Sequence, residues 1–189
     1  MRADLLDLTQ PLLWTVPDVL SAAECQALIA RIDAAGPVAA PITTAAGFMM
    51  RPDIRNNTRV IIDDVALAAE LYRRVLPHLP ARMLGMTVVG ANERLRCYRY
   101  APGQRFAMHY DGAFQRSPTE RSHLTFMVYL NQGFSGGDTD FPMQGRRVTP
   151  QAGMALLFQH HLLHEGCEVK AGVKYALRSD IMYREEGAG

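Results

Sequence analysis

Lysine is nearly absent: Lys170 and Lys174 are the only two in 189 residues, and arginine supplies the rest of the basic charge. With a formal net charge of +1, the chain shows no electrostatic footprint for nucleic acid or an anionic membrane, and neither is expected as a partner. Cysteine is limited to Cys25, Cys97 and Cys167, an odd number without a metal-type CxxC spacing. No secretory leader is read ahead of them, so the expectation is a reduced, cytoplasmic protein whose cysteines act as small buried hydrophobes. No apolar run approaches the roughly 20 residues that cross a bilayer. Heptads are missing too, which removes a coiled-coil argument for assembly and leaves the oligomeric state open.

What is present has globular proportions, 48% hydrophobic and 21% charged. The length suits one well-buried core and is short for two, so residues 1–189 are expected to form a single domain. Residues 1–92 read as helical support with a lid region, and 93–185 as a β-rich core. Leu5 to Val16, punctuated by Pro11 and Pro17, suggests an edge strand or an extended lead. Ser21 and Glu24 have capping-box spacing, Cys25, Leu28, Ile29 and Ile32 share a face, and Gly36-Pro37 is a stop, which predicts a helix. A second helix is expected from about Asp64 until Pro77. Between them, residues 39–53 lack a clear period and read as a loop or lid that could carry short strands. Arg55, Asn56 and Asn57 precede the β-branched run Val60-Ile61-Ile62; they either contact substrate or satisfy a turn.

After Glu93 the texture turns to short strands between Gly and Pro turns: Leu95 to Tyr100, Phe106 to Asp111, Leu124 to Asn131, Asp138 to Pro142, Met154 to Phe158 and Lys174 to Tyr183. Such punctuation predicts a sandwich or barrel. Within the stretch YAPGQRFAMHYDG, His109 and Asp111 stand two apart, and in an extended chain they would point the same way. A chance H-x-D pair is common, so a third ligand is needed. One further imidazole would make a 2-His-1-carboxylate set suited to non-haem Fe(II). His160, His161 and His164 all follow the apolar run MALLF, and spacing alone does not choose among them. Lys174, ten residues beyond His164, suits the far carboxylate of a dicarboxylate co-substrate, and Arg178 shares its face if the strand is regular.

In order, the chain carries Y-x-P-G-Q-x-F-x-x-H-x-D-G, T-x-x-x-Y-L-N, G-G-D-T-x-F-P, P-x-x-G-x-A-L-L-F and H-E-G-x-x-V-x-x-G-x-K-Y-x-L-R-S-D. This set, from Tyr100 to Tyr183, resembles the prolyl 4-hydroxylase-like branch of the 2-oxoglutarate- and Fe(II)-dependent oxygenases. The resemblance implies a mainly β fold with N-terminal helices (α+β), a double-stranded β-helix of the jelly-roll or cupin type braced by two or more helices. It implies iron ligation by His109, Asp111 and His164, with His160 and His161 left to surrounding or loop positions. Lys174 would bind the distal carboxylate of 2-oxoglutarate, with Tyr129, Tyr100 and Thr139 lining the pocket and Arg178 contacting either 2-oxoglutarate or substrate.

The implied reaction hydroxylates an unactivated C–H bond of a small-molecule or peptidyl substrate, such as a prolyl residue. It consumes 2-oxoglutarate and O2 and yields succinate and CO2, with ascorbate as a candidate additional cofactor. Two alternatives remain at this stage: a cupin-type metalloenzyme indifferent to 2-oxoglutarate, and a non-catalytic metal-binding module. The first predicts no role for Lys174, and the second need not hold three ligands and a lysine in register.

Overall fold

Ser21 caps the first helix, α1 (Ala22–Ala34), in the expected reciprocal way: its hydroxyl accepts from the Glu24 backbone N–H while the Glu24 carboxylate accepts from the Ser21 N–H. Asp64 caps α2 (Val65–Val75), its carboxylate accepting from the Leu67 N–H. Each helix has one buried stripe, Cys25, Leu28 and Ile32 on α1 and Ala68, Leu71 and Val75 on α2. The computed structural model describes residues 5–44 and 47–187. Ala45 and Ala46, inside the expected lid, and the ends 1–4 and 188–189 of the expected single domain lie outside the described residues.

The strands that position the site are β1 (Leu13–Val16), β2 (Thr58–Asp63), β3 (Met86–Ala91), β4 (Arg94–Tyr100), β5 (Phe106–His109), β6 (Glu120–Tyr129), β7 (Thr139–Phe141), β8 (Arg146–Val148), β9 (Ala155–Gln159), β10 (His164–Gly166) and β11 (Lys174–Glu185). A large antiparallel sheet runs β1-β9-β6-β11-β4-β2. On one edge of β11, β4 pairs along Lys174–Arg178 and β3 along Ile181–Glu185. A smaller antiparallel sheet runs β8-β7-β10-β5. The result is a mostly β protein of antiparallel sheets with few helices.

β11 shows how the layers are built. All residues from Lys174 to Tyr183 are buried, so both faces are covered. Tyr175, Leu177, Ile181 and Tyr183 pack with the buried stripes of α1 and α2. Ala176 joins the opposite cluster, where Phe141 of the small sheet meets Phe158 of the large one edge-on at 5.0 Å. The space between the two sheets therefore holds an apolar core at one side and, on the Lys174, Ala176 and Arg178 face, the candidate site.

Two expectations change, and the reading of 39–53 becomes specific. β5 ends at His109, so Asp111 follows the strand instead of lying in it. Strand β3 lies where no strand was read, because Gly85 and Gly90 break its local pattern and its partner β11 is about 90 residues away in sequence. Within 39–53, Ile42–Thr44 and Gly47–Met49 pair as a hairpin, with Phe48, Met49 and Met50 exposed.

Candidate active site

His109 ends β5 and His164 begins β10, and the two residues are direct partners across the small sheet. Their ring centroids lie 4.2 Å apart. Each Nδ1 donates to a backbone carbonyl two residues back, His109 to Ala107 at 2.7 Å and His164 to Leu162 at 3.0 Å. Because a carbonyl can only accept, the proton is fixed on Nδ1 and the Nε2 lone pair is left free. His109 Nε2 lies 3.8 Å from Asp111 Oδ1, and His164 Nε2 lies 3.7 Å from Asp111 Oδ2.

Burial, with help from the neighbouring His164, pulls His109 down to about 3, and burial lowers His164 as well, so both rings are neutral near pH 7. Burial opposes ionisation of Asp111, but the Arg178 guanidinium 3.3 Å away and the nearby imidazoles outweigh it and hold the carboxyl well below its usual range. The three donor atoms lie within 4.8 Å of one another. Two neutral nitrogens and one carboxylate on one side of an open space fit a non-haem Fe(II) ion. Spacing left three histidines open, and position separates them: His164 faces the open space, whereas His160 lies behind Asp111 against Thr125 and Ser122.

The same cleft reaches Lys174. This side chain is 2% exposed, and its ammonium donates to the Gly137 carbonyl at 2.6 Å. It lies 5.3 Å from the ring centroids of both Tyr100 and Tyr129. Among the described residues no carboxylate stands within ion-pair distance of it. Burial lowers its pKa to about 8, partly offset by Cys167 and Asp138. A buried cation without an anion is costly, and an anionic ligand relieves that cost. Beside it the Tyr129 and Thr139 hydroxyls hydrogen-bond at 2.6 Å, with both residues buried. The residues here therefore fit a dicarboxylate such as 2-oxoglutarate.

The remaining expected site residues divide sharply. Arg178 was expected to touch co-substrate or substrate. It lines the same cleft; its Nη2 lies 3.3 Å from Asp111 and 3.1 Å from Asp180, and among the described residues its buried Nε has no hydrogen-bond partner. Asn56 donates to the Gly103 carbonyl and accepts from the Arg105 N–H, tying two turns together. Asn57 is fully buried, accepting from Arg55 Nε and donating to the Thr58 carbonyl. The side chains of these two asparagines are thus engaged with turn backbone and with Arg55.

Arg55 differs. Its guanidinium lies over Tyr98 at 4.9 Å and Phe106 at 4.3 Å, and Phe106 stacks on His109 at 3.5 Å. The residue is 5% exposed, yet among the described residues its Nη2 has no hydrogen-bond partner.

Sequence reasoning missed Tyr98, Thr125 and Asp180. Alternation offered a signal for all three: Tyr98 is two residues from Tyr100 on β4, Thr125 four from Tyr129 on β6, and Asp180 two from Arg178 on β11.

The family model of the 2OG-Fe(II) oxygenase superfamily matches residues 95–179. A putative prolyl 4-hydroxylase of Acanthamoeba polyphaga mimivirus is 32% identical over 111 residues, covering 49% of this chain and 45% of that protein. Prolyl 4-hydroxylase 1 of Arabidopsis thaliana is 25% identical over 193 residues, covering 88% of this chain and 67% of its own length. The matched part thus spans about half of the viral protein and two thirds of the plant one. Among solved structures, the viral collagen prolyl hydroxylase of Paramecium bursaria Chlorella virus-1, in its 2OG complex, superposes with a TM-score of 0.68 at 23% identity, over 92% of this chain and 97% of that one. That likeness concerns the fold. The family match runs across the strands that carry His109, Asp111, His164 and Lys174, and in this part the chain is similar to 2OG-Fe(II) oxygenases and to prolyl 4-hydroxylases.

Proposed function

We propose that this chain is an Fe(II)- and 2-oxoglutarate-dependent hydroxylase acting on a peptidyl substrate, with a prolyl residue as the favoured class. One observation carries the reading: a buried ammonium without a counter-ion and a buried His-Asp-His set share one cleft. His109, Asp111 and His164 would hold the metal, and Lys174, with the Tyr129–Thr139 hydroxyl pair, would hold the far carboxylate of 2-oxoglutarate. When bound, the metal and co-substrate supply oxidation of a C–H bond by O2, with 2-oxoglutarate converted to succinate and CO2.

The chain itself orients and shields. The carbonyls of Ala107 and Leu162 keep both imidazoles in the donor tautomer. Tyr98, Tyr100, Phe106 and Met127 make the cleft wall largely apolar, so water is displaced when it fills. Arg55, with one unpartnered N–H group, would receive a substrate carbonyl beside the metal. Helices α1 and α2 brace the strands that carry these groups. The proline preference draws on the relatives, whose names are those of prolyl 4-hydroxylases.

The test is turnover. Purified protein with Fe(II), 2-oxoglutarate, O2 and proline-rich peptides is expected to form succinate and hydroxylated peptide in equal amounts. Arg55→Ala is expected to lower kcat/KM for peptide by about tenfold, the scale of one lost charge-assisted hydrogen bond. Absence of succinate with every peptide and without peptide would contradict the hydroxylase reading. Unchanged peptide kinetics in Arg55→Ala would contradict the role of Arg55 alone.

A further inference from the structure

The carboxylate of Asp111 has two oxygens that could face a metal, and the structure treats them differently. Oδ2 accepts from the Thr125 hydroxyl at 2.6 Å and lies 3.3 Å from Arg178 Nη2. Among the described residues Oδ1 accepts no such bond; its close neighbour is His109 Nε2 at 3.8 Å, while His164 Nε2 lies 3.7 Å from Oδ2. A carboxylate only accepts, so Thr125 must donate to it. With its own proton directed at Asp111, Thr125 Oγ1 then accepts from His160 Nδ1 at 2.9 Å. That fixes the His160 proton on Nδ1, so His160 Nε2 accepts from the Ser122 hydroxyl at 2.7 Å. Ser122 Oγ in turn accepts from the Phe114 N–H at 2.8 Å. All the donors in this chain run one way, from backbone to carboxylate.

His160 also holds Asp111 a second time: the Asp111 N–H donates to the His160 carbonyl at 3.1 Å. Ser122, Thr125 and His160 are each at least 98% buried in side chains that pack behind Asp111, so water does not compete for these bonds. His160 begins the loop that ends four residues later at His164. One side chain thus links the segment bearing Asp111 to the segment bearing His164.

We propose that Thr125, held by His160 and Ser122, is the positioning residue that reserves Oδ1 of Asp111 for the metal. With Oδ2 engaged, Asp111 would offer a metal one oxygen, Oδ1, and leave more of the cleft to a co-substrate. This inference rests on the reading of His109, Asp111 and His164 as metal ligands. It assigns no contact between Thr125 and the metal; the residue acts through Asp111.

The experiment uses Co(II) alone as the probe, titrated into apo-protein and followed by calorimetry and by its visible d–d absorption. Thr125→Val keeps the shape and removes the hydroxyl, while Thr125→Ser restores it. Thermal unfolding of each variant reports folding separately. The expected result is Co(II) affinity about 10- to 100-fold weaker in Thr125→Val, with an altered absorption spectrum, and near-native affinity and spectrum in Thr125→Ser. His160→Leu is expected to fall between them, because Thr125 remains but loses its hold.

Equal affinity and spectrum in wild type and Thr125→Val would overturn the positioning role while leaving the metal site intact. Equal losses in Val and Ser variants would overturn it as well, by pointing to packing instead of the hydroxyl. No Co(II) binding by the wild type, or binding unaffected by His164→Ala, would overturn the metal-site reading itself.

Discussion

The two ends of the cleft are prepared in opposite ways. At the triad end the ligand side chains are held from behind: both Nδ1 atoms by carbonyls, and Asp111 Oδ2 by Thr125 and Arg178. At the lysine end a full positive charge is buried against two tyrosine rings and one carbonyl. The first end presents electron pairs fixed in direction, with the Arg178 guanidinium on the Oδ2 side of Asp111. The second presents a cation and lacks an anion. A site built for a metal alone would have no need of the lysine, and burying it there unpaired costs stability. The contrast is what favours a metal and a dicarboxylate bound together over a cupin-type site or a structural metal.

Separating the ends by mutation sharpens this comparison. The largest effect is expected from His164→Ala, which removes a buried donor and should abolish measurable binding of Fe(II) or Co(II) by calorimetry. Lys174→Ala should leave metal affinity nearly unchanged but weaken 2-oxoglutarate by about 10- to 100-fold, the scale of one charged hydrogen-bonded contact. If both variants lost metal and 2-oxoglutarate together, the two ends would not be independent.

A smaller effect, about tenfold, is expected from Gly137→Ala. Gly137 has φ +72°, and an added Cβ would come within 2.9 Å of the Phe134 ring and 3.3 Å of the Lys174 stem. The substitution should raise the Kd for 2-oxoglutarate and spare metal binding.

The pH dependence has a definite sign. Burial lowers Lys174 to about 8, so its ammonium is charged below that pH and loses its proton as pH rises through it. The Kd for 2-oxoglutarate should therefore be flat below this point and climb by up to about tenfold per pH unit above it. Lys174→Arg should remove the rise, because guanidinium keeps its charge. A wild-type Kd that fell with rising pH would contradict the assignment of Lys174.

Much of the site was legible because it is written in local order. His109 and Asp111 are two residues apart, and Lys174 stands out in a chain with two lysines. The helices were legible from their caps, which are short-range contacts. His164 was not separable from His160 and His161 by spacing, since all three lie in one loop and start of strand. Their roles depend on which ring is aimed at Asp111 and which lies behind it, a property of sheet register.

The bracing residues were harder for the same reason. Thr125 and Asp111 come together across 14 positions, and Asp180 meets Arg96 across 84. Asn56 and Asn57, read as either substrate contacts or turn residues, proved to be satisfied by backbone and by Arg55. β3 was missed because its pairing with β11, and not its own pattern, makes it a strand.

The most direct test of the two-ended site is an anaerobic titration of apo-protein with Fe(II) and then 2-oxoglutarate, followed by the visible metal-to-ligand charge-transfer band. The wild type should develop the band at saturating 2-oxoglutarate, Lys174→Ala only at much higher concentrations, and His164→Ala not at all. Bound iron in the wild type with no band at any 2-oxoglutarate concentration would contradict the joint metal and dicarboxylate site.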